Sequence, residues 1–325
     1  MKKQFIDKLI PGDSIDDIFI LSEKKISQKK DGNNFLTITI SDRTGTAKGV
    51  KWDNVDELTD KIIKGDLVHI KGSLSEYNGA LQVVVKKIDP CPMKDADLSD
   101  FLPATKHDVD SMFNRLLQII ESIETVYYKK LLKLFFNDKK FAMQFKTAPA
   151  GKKMHHAYIG GLLEHSLSVA VLATKVGSHY SGIDIDLLIT GAILHDLGKI
   201  KEFTYKTSID YSDEGRLLSH LVIGVEMISE KIVQINDFPE EKALLLKHMI
   251  VSHHGQREFG SPEPPKTIEA VLLNHIDEID SKVNGIRKFM EKESPNETWT
   301  SYHRLLERYF YIGQKTTSKE RPAQK

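Results

Sequence analysis

Ten of the thirteen histidines in this chain fall between His155 and His275, and most of them sit inside apolar segments. "GGLLEHSLSVAVLATKV" carries His165, and "LLITGAILHDLGKI" ends on the neighbours His195 and Asp196. "RLLSHLVIGVEMI" carries His220, "HMIVSHHG" carries His253 and His254, and "LLNHIDEID" carries Asp277. Imidazole is the commonest metal ligand among side chains and a ready proton carrier. A single histidine on an apolar helix is ordinarily a satisfied core or surface residue. Here five separate apolar segments each carry an imidazole or a carboxylate, and burying that many polar groups without partners would cost several kcal/mol apiece. Shared divalent cations would satisfy all of them at once. A donor set of imidazole and carboxylate without thiolate suits manganese, iron, cobalt or zinc. Neighbours on a helix project about 100° apart, so His195 can hold one ion while Asp196 reaches towards a second. A bare His-Asp pair is common by chance. The ordered set His, His-Asp, His, His-His, Asp is not.

Other residues nearby have two readings each. Lys199 follows His195 by one turn, where it either contacts a phosphate oxygen or caps the helix C-terminus. His155 and His156 precede the His165 helix and either face substrate, with one serving as an acid, or belong to an ordinary loop. Arg216 and Arg257 either bind phosphate through their bidentate forks or are solvated surface. Asp196, Lys199 and His156 form the expected catalytic set. His275 reads as structural, and His69, His107, His179, His248 and His303 have no motif around them.

These residues need elements to position them. From Asp108 onward the apolar spacing is helical, with Met112, Leu116, Ile119, Ile120 and Ile123 on one face. Beyond Gly151 nearly everything predicts helix, broken by a loop over 203–215 and another over 255–265. The second, "GQREFGSPEPP", is stiffened by its prolines and either walls a substrate channel or links two helices. The first 90 or so residues predict strands instead. "NFLTITISD" alternates around Phe35, Leu36, Ile38 and Ile40, and "RTGTAKGVKWD" follows a turn. Two more strands lie over 65–88 around Asn78-Gly79, a strong hairpin signal. With a helical stretch over 55–63, the plan is a small closed barrel of the OB-fold type. OB-folds bind single strands by stacking bases on aromatics in a basic groove. Phe35, Trp52 and Tyr77 are the candidate platforms, with Lys29, Lys30, Lys48, Lys51 and Lys71 near them, although Phe35 also fits a core position. Residues 1–92 hold 15 basic and 14 acidic residues, so the barrel carries little net charge.

The expected architecture is therefore multidomain: a small β-barrel over 1–92, a helical region over 93–150, an all-helical domain over 151–312 and a polar, lysine-rich, disordered tail over 313–325. The composition change near Asp89-Pro90-Cys91-Pro92 marks the first boundary. At 325 residues the chain exceeds the usual size of one core. With 46 basic and 46 acidic residues it is not a simple polycation. No apolar run approaches the ~20 residues of a membrane span, and the N-terminus lacks the apolar core and cleavage site of a signal peptide. The single cysteine, Cys91, forms no internal disulfide. These features point to the cytoplasm.

Residues 154–283 resemble the HD superfamily of metal-dependent phosphohydrolases, with the motif order complete. "KMHHAYIGGLLEHSLSV", "ILHDLGKI" and "SHHGQREFGSPEPP" behind an OB-like domain are similar to YhaM-type 3′-to-5′ exoribonucleases, and that similarity covers nearly the whole chain. The resemblance implies that His165, His195, Asp196 and Asp277 hold a first metal, and that His220, His253 and His254 hold a second with Asp196 bridging. It implies two divalent ions, manganese first and cobalt or iron next. The implied activity is stepwise release of nucleoside monophosphates from single-stranded RNA, extending to single-stranded DNA. The implied partners are those strands and a second copy of the chain, with no membrane. Two other functions remain open: an HD hydrolase of small nucleotides, and a single-strand-binding protein with a vestigial metal site. An OB-like barrel favours a polymer, since a small metabolite needs no strand-tracking groove.

Overall fold

The computed structural model describes residues 2–29, 31–55, 58, 61–77, 80–92, 100–152, 155–205, 207–291, 293 and 297–313. Lys30, residues 56, 57, 59 and 60 of the helical stretch expected over 55–63, the Asn78-Gly79 turn and the tail after Gly313 lie outside the described residues.

The N-terminal region is a closed five-stranded barrel of OB-fold type: β1 (Ser14–Gln28), β2 (Asn34–Asp42), β3 (Gly45–Lys51), β4 (Leu67–Tyr77) and β5 (Ala80–Cys91), in the order β1-β2-β3-β5-β4. Strand β1 pairs antiparallel with both β2 and β4, and β3 runs parallel to β5. A register shift between Leu21 and Glu23 lets one 15-residue strand serve both neighbours, as bulges do at barrel corners. Alternation does the rest. On β2, Leu36, Ile38 and Ile40 point into the barrel core with Phe19, Val68 and Val83, while Phe35, Thr37 and Thr39 point outward. At Gly72, where β4 shifts register against β5, an added Cβ would fall 2.3 Å from the Val84 carbonyl oxygen, so a side chain there would push the strands apart.

The rest is almost entirely helical: α1 (Val109–Ser122), α2 (Val126–Phe136), α3 (Lys139–Thr147), α4 (Gly161–Gly177), α5 (Ile185–Leu194), α6 (Lys199–Glu202), α7 (Asp213–Ile232), α8 (Glu240–Ser252) and α9 (Ile268–Glu291). A two-stranded hairpin, β6 (Phe203–Thr204) with β7 (Asp210–Tyr211), occupies the loop before α7. Helices α1–α3 contribute Met112, Leu116, Phe135 and Phe145 to the same hydrophobic core as Leu163, Ile193 and Leu273 of the later helices. Helix α5 is apolar all round and buried from Leu187 to Leu194, which makes it the central helix of the domain.

Barrel and helices meet through a small apolar cluster. Ile20 and Leu67 of the barrel pack with Phe101 and Leu102 of the connecting segment, against Ile159 and Tyr205. The connection is also tied by backbone: Thr105 N–H donates to Ile159 (2.9 Å) and Ile159 N–H to Pro103 (2.8 Å). Among the described residues, no helix is long and apolar enough to cross a membrane.

Candidate metal centre

Five helices converge on one point. Helix α4 delivers His165 from its interior, and α9 delivers Asp277. Helix α5 ends on His195, and the turn that follows exposes Asp196 to the same space. That turn packs closely on α7: an added Cβ at Gly198 would lie 2.1 Å from the His220 carbonyl oxygen, so only glycine permits the approach. Helix α7 is broken at Ser219 (φ 59°, ψ 161°), the residue before His220. This conformation borders on glycine-only space, and a serine held there marks a backbone bent to aim its neighbour. Helix α8 ends on His253, followed by His254.

Two groups of donor atoms result. His165 Nε2 lies 3.0 Å from His195 Nε2 and 3.1 Å from Asp277 Oδ1, and both imidazole nitrogens lie 3.4 Å from Asp196 Oδ2. On the other side of the same carboxylate, Asp196 Oδ1 lies 3.6 Å from His220 Nε2 and 3.6 Å from His253 Nε2, with His254 Nε2 3.3 Å from His220. Asp196 thus turns one oxygen to each group.

Each of the five imidazoles is held at its other nitrogen. His165 Nδ1 donates to Asp280 (2.8 Å) and His220 Nδ1 to Glu202 (2.9 Å). His195, His253 and His254 donate Nδ1–H to the carbonyls of Ala192 (2.9 Å), Ile250 (2.8 Å) and Phe259 (3.0 Å). A neutral imidazole that donates at Nδ1 carries a lone pair at Nε2, so all five present acceptors to the centre. This is how metal-binding histidines are oriented.

The residues fit divalent cations on three counts. Nitrogen and oxygen ligands about 2.1 Å from an ion, at tetrahedral or octahedral angles, stand ~3.0–3.4 Å apart, close to the spacings within each group. Asp196 Oδ1 and His253 Nε2 are buried without a hydrogen-bond partner, and a buried group left that way costs about 1–3 kcal/mol. The charges also crowd. Burial opposes protonation of His165, yet Asp196, Asp277 and Asp280 outweigh it and raise its pKa well above the usual histidine range. Burial pushes His254 down to about 3, with His253 and His220 adding to the effect. A cation would supply the positive charge that the three carboxylates draw onto His165, and the neutral His254 would offer it a lone pair.

A family described as HD domain matches residues 162–282, which contain all seven donors, and one described as OB-fold nucleic acid binding domain matches 23–90. A third, described as a putative helicase, matches 99–182. The protein named 3'-5' exoribonuclease YhaM of Bacillus subtilis (strain 168) is 32% identical over 303 residues, covering 92% of this chain and 95% of that one. Its counterpart in Geobacillus sp. (strain WCH70) is 32% identical over 301 residues, covering 92% of each. The chain belongs to the YhaM family.

The HD domain of this YhaM-family chain implies dependence on a divalent metal, and the seven donors above are the groups that could hold it. Other expected residues are placed differently from one another. Lys199 neither caps a helix nor reaches outward: its ammonium, buried, donates to Asp196 Oδ2 at 2.6 Å. Burial opposes its charge, but Asp196 holds its pKa above the usual lysine value. His156, expected in the catalytic set, has both ring nitrogens engaged. Nε2 donates to Asp280 (3.0 Å) and Nδ1 lies 2.9 Å from the Tyr158 hydroxyl, so neither is free to act on substrate. Arg216 pairs with Asp210 (3.2 Å) and Arg257 with Glu263 (3.0 Å), both exposed at the surface.

On the barrel, Phe35 is not core. It stacks on Trp52 with ring centroids 5.2 Å apart and planes 28° from parallel, and Trp52 remains 46% exposed. Lys29 stands 5.7 Å from the Trp52 ring and pairs with Asp53. Lys51 departs from expectation: it is buried, and its ammonium donates to the Lys86 carbonyl (2.8 Å), which leaves it turned into the barrel wall rather than towards a strand. Tyr77 ends β4, and its side chain lies outside the described residues.

Sequence reasoning missed two residues that matter here, Asp280 and Glu202. Asp280 sits three residues after Asp277 on α9, so the i, i+3 spacing from a suspected ligand was a usable signal. It receives His165, His156 and the Ser168 hydroxyl, and His156 and His165 keep its pKa below the carboxylate range against the effect of burial. Glu202 follows the His195–Asp196 turn and reaches His220 across the fold, at both Nδ1 and the backbone N–H (3.0 Å). Nothing in its local sequence marks it.

Proposed function

We propose that this protein is a metal-dependent 3′-to-5′ exoribonuclease that releases nucleoside monophosphates from single-stranded RNA, and also acts on single-stranded DNA. The observation that carries the reading is the set of five imidazoles fixed at Nδ1, four of them with Nε2 facing Asp196 and the fifth, His254, with Nε2 beside that of His220, behind a barrel with an exposed aromatic stack. In this reading His165, His195, Asp196 and Asp277 hold one ion, and His220, His253, His254 and Asp196 hold a second. Manganese is the favoured metal, with cobalt and iron next; the ranking rests on the family resemblance, and the imidazole and carboxylate donors are compatible with each of them. When bound, such a pair of ions activates water and neutralises charge on the phosphoryl oxygens. The chain's own contribution is positional. Asp196 fixes the two groups relative to each other, Lys199 balances its charge, and Asp280 and Glu202 keep His165 and His220 in the tautomer that accepts at Nε2.

The barrel, residues 1–92, supplies strand affinity through Trp52 and Phe35, with Lys29 beside them and Arg216 and Arg257 as phosphate contacts on the helical side. Residues 93–150 and 151–312 form the catalytic portion. The 3′-to-5′ polarity rests on the named relatives. A cytoplasmic setting rests on the lone Cys91, and assembly with a second copy belongs to the same proposal. The test is end-labelled single-stranded RNA with manganese, with chelator, and with a blocked 3′ end. Stepwise monophosphate release that chelator stops and the blocked end prevents is the expected result. Internal fragments from the blocked RNA would make it an endonuclease. Hydrolysis of bis(p-nitrophenyl) phosphate without RNA degradation would make it a small-nucleotide hydrolase.

A further inference from the structure

We propose that His155 is the substrate-facing histidine of this site, donating an N–H to an oxygen of the phosphodiester placed against the seven metal-site donors. The proposal rests on the phosphodiesterase reading above and adds a residue to it. Seven imidazoles surround the centre, and six have assigned partners. Five are held at Nδ1 and point Nε2 inward. His156 is engaged at both nitrogens. His155 is the exception: among the described residues its ring nitrogens take no hydrogen bond, although its ring centroid is 5.8 Å from that of His165 and 6.4 Å from that of His156. It belongs to none of the groups of converging donor atoms found among the described residues. It is half-buried, between the fully buried His165 and solvent, and its charge neighbours are Lys199, Asp277 and Asp196.

A polar ring in such a position has three possible uses. A structural role would occupy a nitrogen, and neither is occupied. A ligand role would bring a nitrogen into one of the donor groups, and none includes it. Donation to a bound oxygen remains, and the chemistry suits it, since imidazole carries at least one N–H in every protonation state. Lys199, the buried cation beside the donors, is already committed to Asp196, whereas Arg216 and Arg257 stand at the surface, each with an exposed carboxylate partner. A phosphodiester arriving at the metal ligands would therefore find the N–H of His155 unpaired. Adjacent histidines in the sequence take different tasks, with His156 fixed in the frame and His155 left for the ligand.

The experiment uses the full chain with His155→Ala and His155→Gln. Manganese affinity is read by calorimetric titration, binding of AMP to the manganese-loaded protein by the same method, and turnover on both single-stranded RNA and bis(p-nitrophenyl) phosphate. Expected for His155→Ala is unchanged manganese affinity, AMP binding at least ~10-fold weaker, and turnover lower by ~100-fold, the scale for loss of one preorganised donor. His155→Gln, which retains an N–H, should recover part of both losses. The proposal is overturned if AMP binding and turnover are unchanged in His155→Ala, if the glutamine recovers nothing, or if manganese affinity falls in step with activity. Wild-type hydrolysis of the small diester without RNA cleavage would remove the exoribonuclease reading, and the test of His155 would still stand on AMP and the diester.

Discussion

At the candidate metal centre, each imidazole that aims Nε2 inward is gripped from behind by Asp280, Glu202 or a backbone carbonyl. On the barrel, Trp52 is 46% exposed and is held by one stacked ring, Phe35. The difference suits what each region is proposed to recognise. Metal ligands must stand within a few tenths of an ångström of their positions, so supporting hydrogen bonds are built in. A stacking platform meets bases that all have a flat face, so looseness costs little, and a single ring can serve every sequence.

The sharpest way to break this comparison is Asp196→Ala, since that carboxylate faces both donor groups. Turnover of end-labelled RNA should fall at least ~1000-fold, beyond the ~10–100-fold scale for supporting partners. A comparable loss from His248→Ala would sink the assignment. That side chain accepts from the Lys266 N–H (2.9 Å) and touches none of the donors.

Next come the supporting carboxylates. Asp280→Asn and Glu202→Gln should each cost ~10–100-fold in manganese affinity, with an asymmetry between them. Asp280→Asn should weaken the ion held by His165, His195 and Asp277, and Glu202→Gln the ion held by His220, His253 and His254. A titration that resolves two binding steps tells them apart. If either variant weakens both steps equally, the two groups are one unit.

Smaller again is Trp52→Ala. One base stack is worth ~1–3 kcal/mol, so half-saturation for long single-stranded RNA should rise by roughly 5–150-fold, while hydrolysis of bis(p-nitrophenyl) phosphate stays as it was. Lower thermal stability with unchanged RNA affinity would show that the ring packs rather than binds.

The smallest expected effect is at Ser219. Its φ of 59° and ψ of 161° suit glycine, and strain of about 1–3 kcal/mol is partly offset by glycine's greater freedom in the unfolded chain. Ser219→Gly should raise the melting temperature of the metal-free protein by ~2 °C. A fall in melting temperature would mean that the bend before His220 carries no strain.

The division into an all-β front and an all-helical remainder was legible from periodicity. Alternation around Leu36, Ile38 and Ile40 marks a strand with one buried face, and the 3.6-residue recurrence of Met112, Leu116 and Ile120 marks a helix with one buried stripe. Phe35 shows the limit of composition: an aromatic in a strand reads as either core or surface, and its position one step out of phase with Leu36 decides for the surface. Lys51 shows the opposite error. Nearness in sequence to Trp52 suggested a shared groove, but successive strand residues point to opposite sides, and its ammonium ends on Lys86.

By itself the sequence determined the chemistry: the donor types, their order along five apolar segments, and the barrel in front of them. These follow from side-chain identity and local periodicity, which the chain carries residue by residue. Only the tertiary structure decided which nitrogen of each imidazole faces inward, that Asp196 splits its two oxygens between two groups, that Lys199 is committed to Asp196, and that His156 is fixed while His155 takes no hydrogen bond among the described residues. Those outcomes depend on contacts such as Glu202 with His220 and Asp280 with His165, made between residues 18 and 115 positions apart. No local pattern encodes them, because each exists only when packing of the central α5 helix brings the ends of its neighbours to one point.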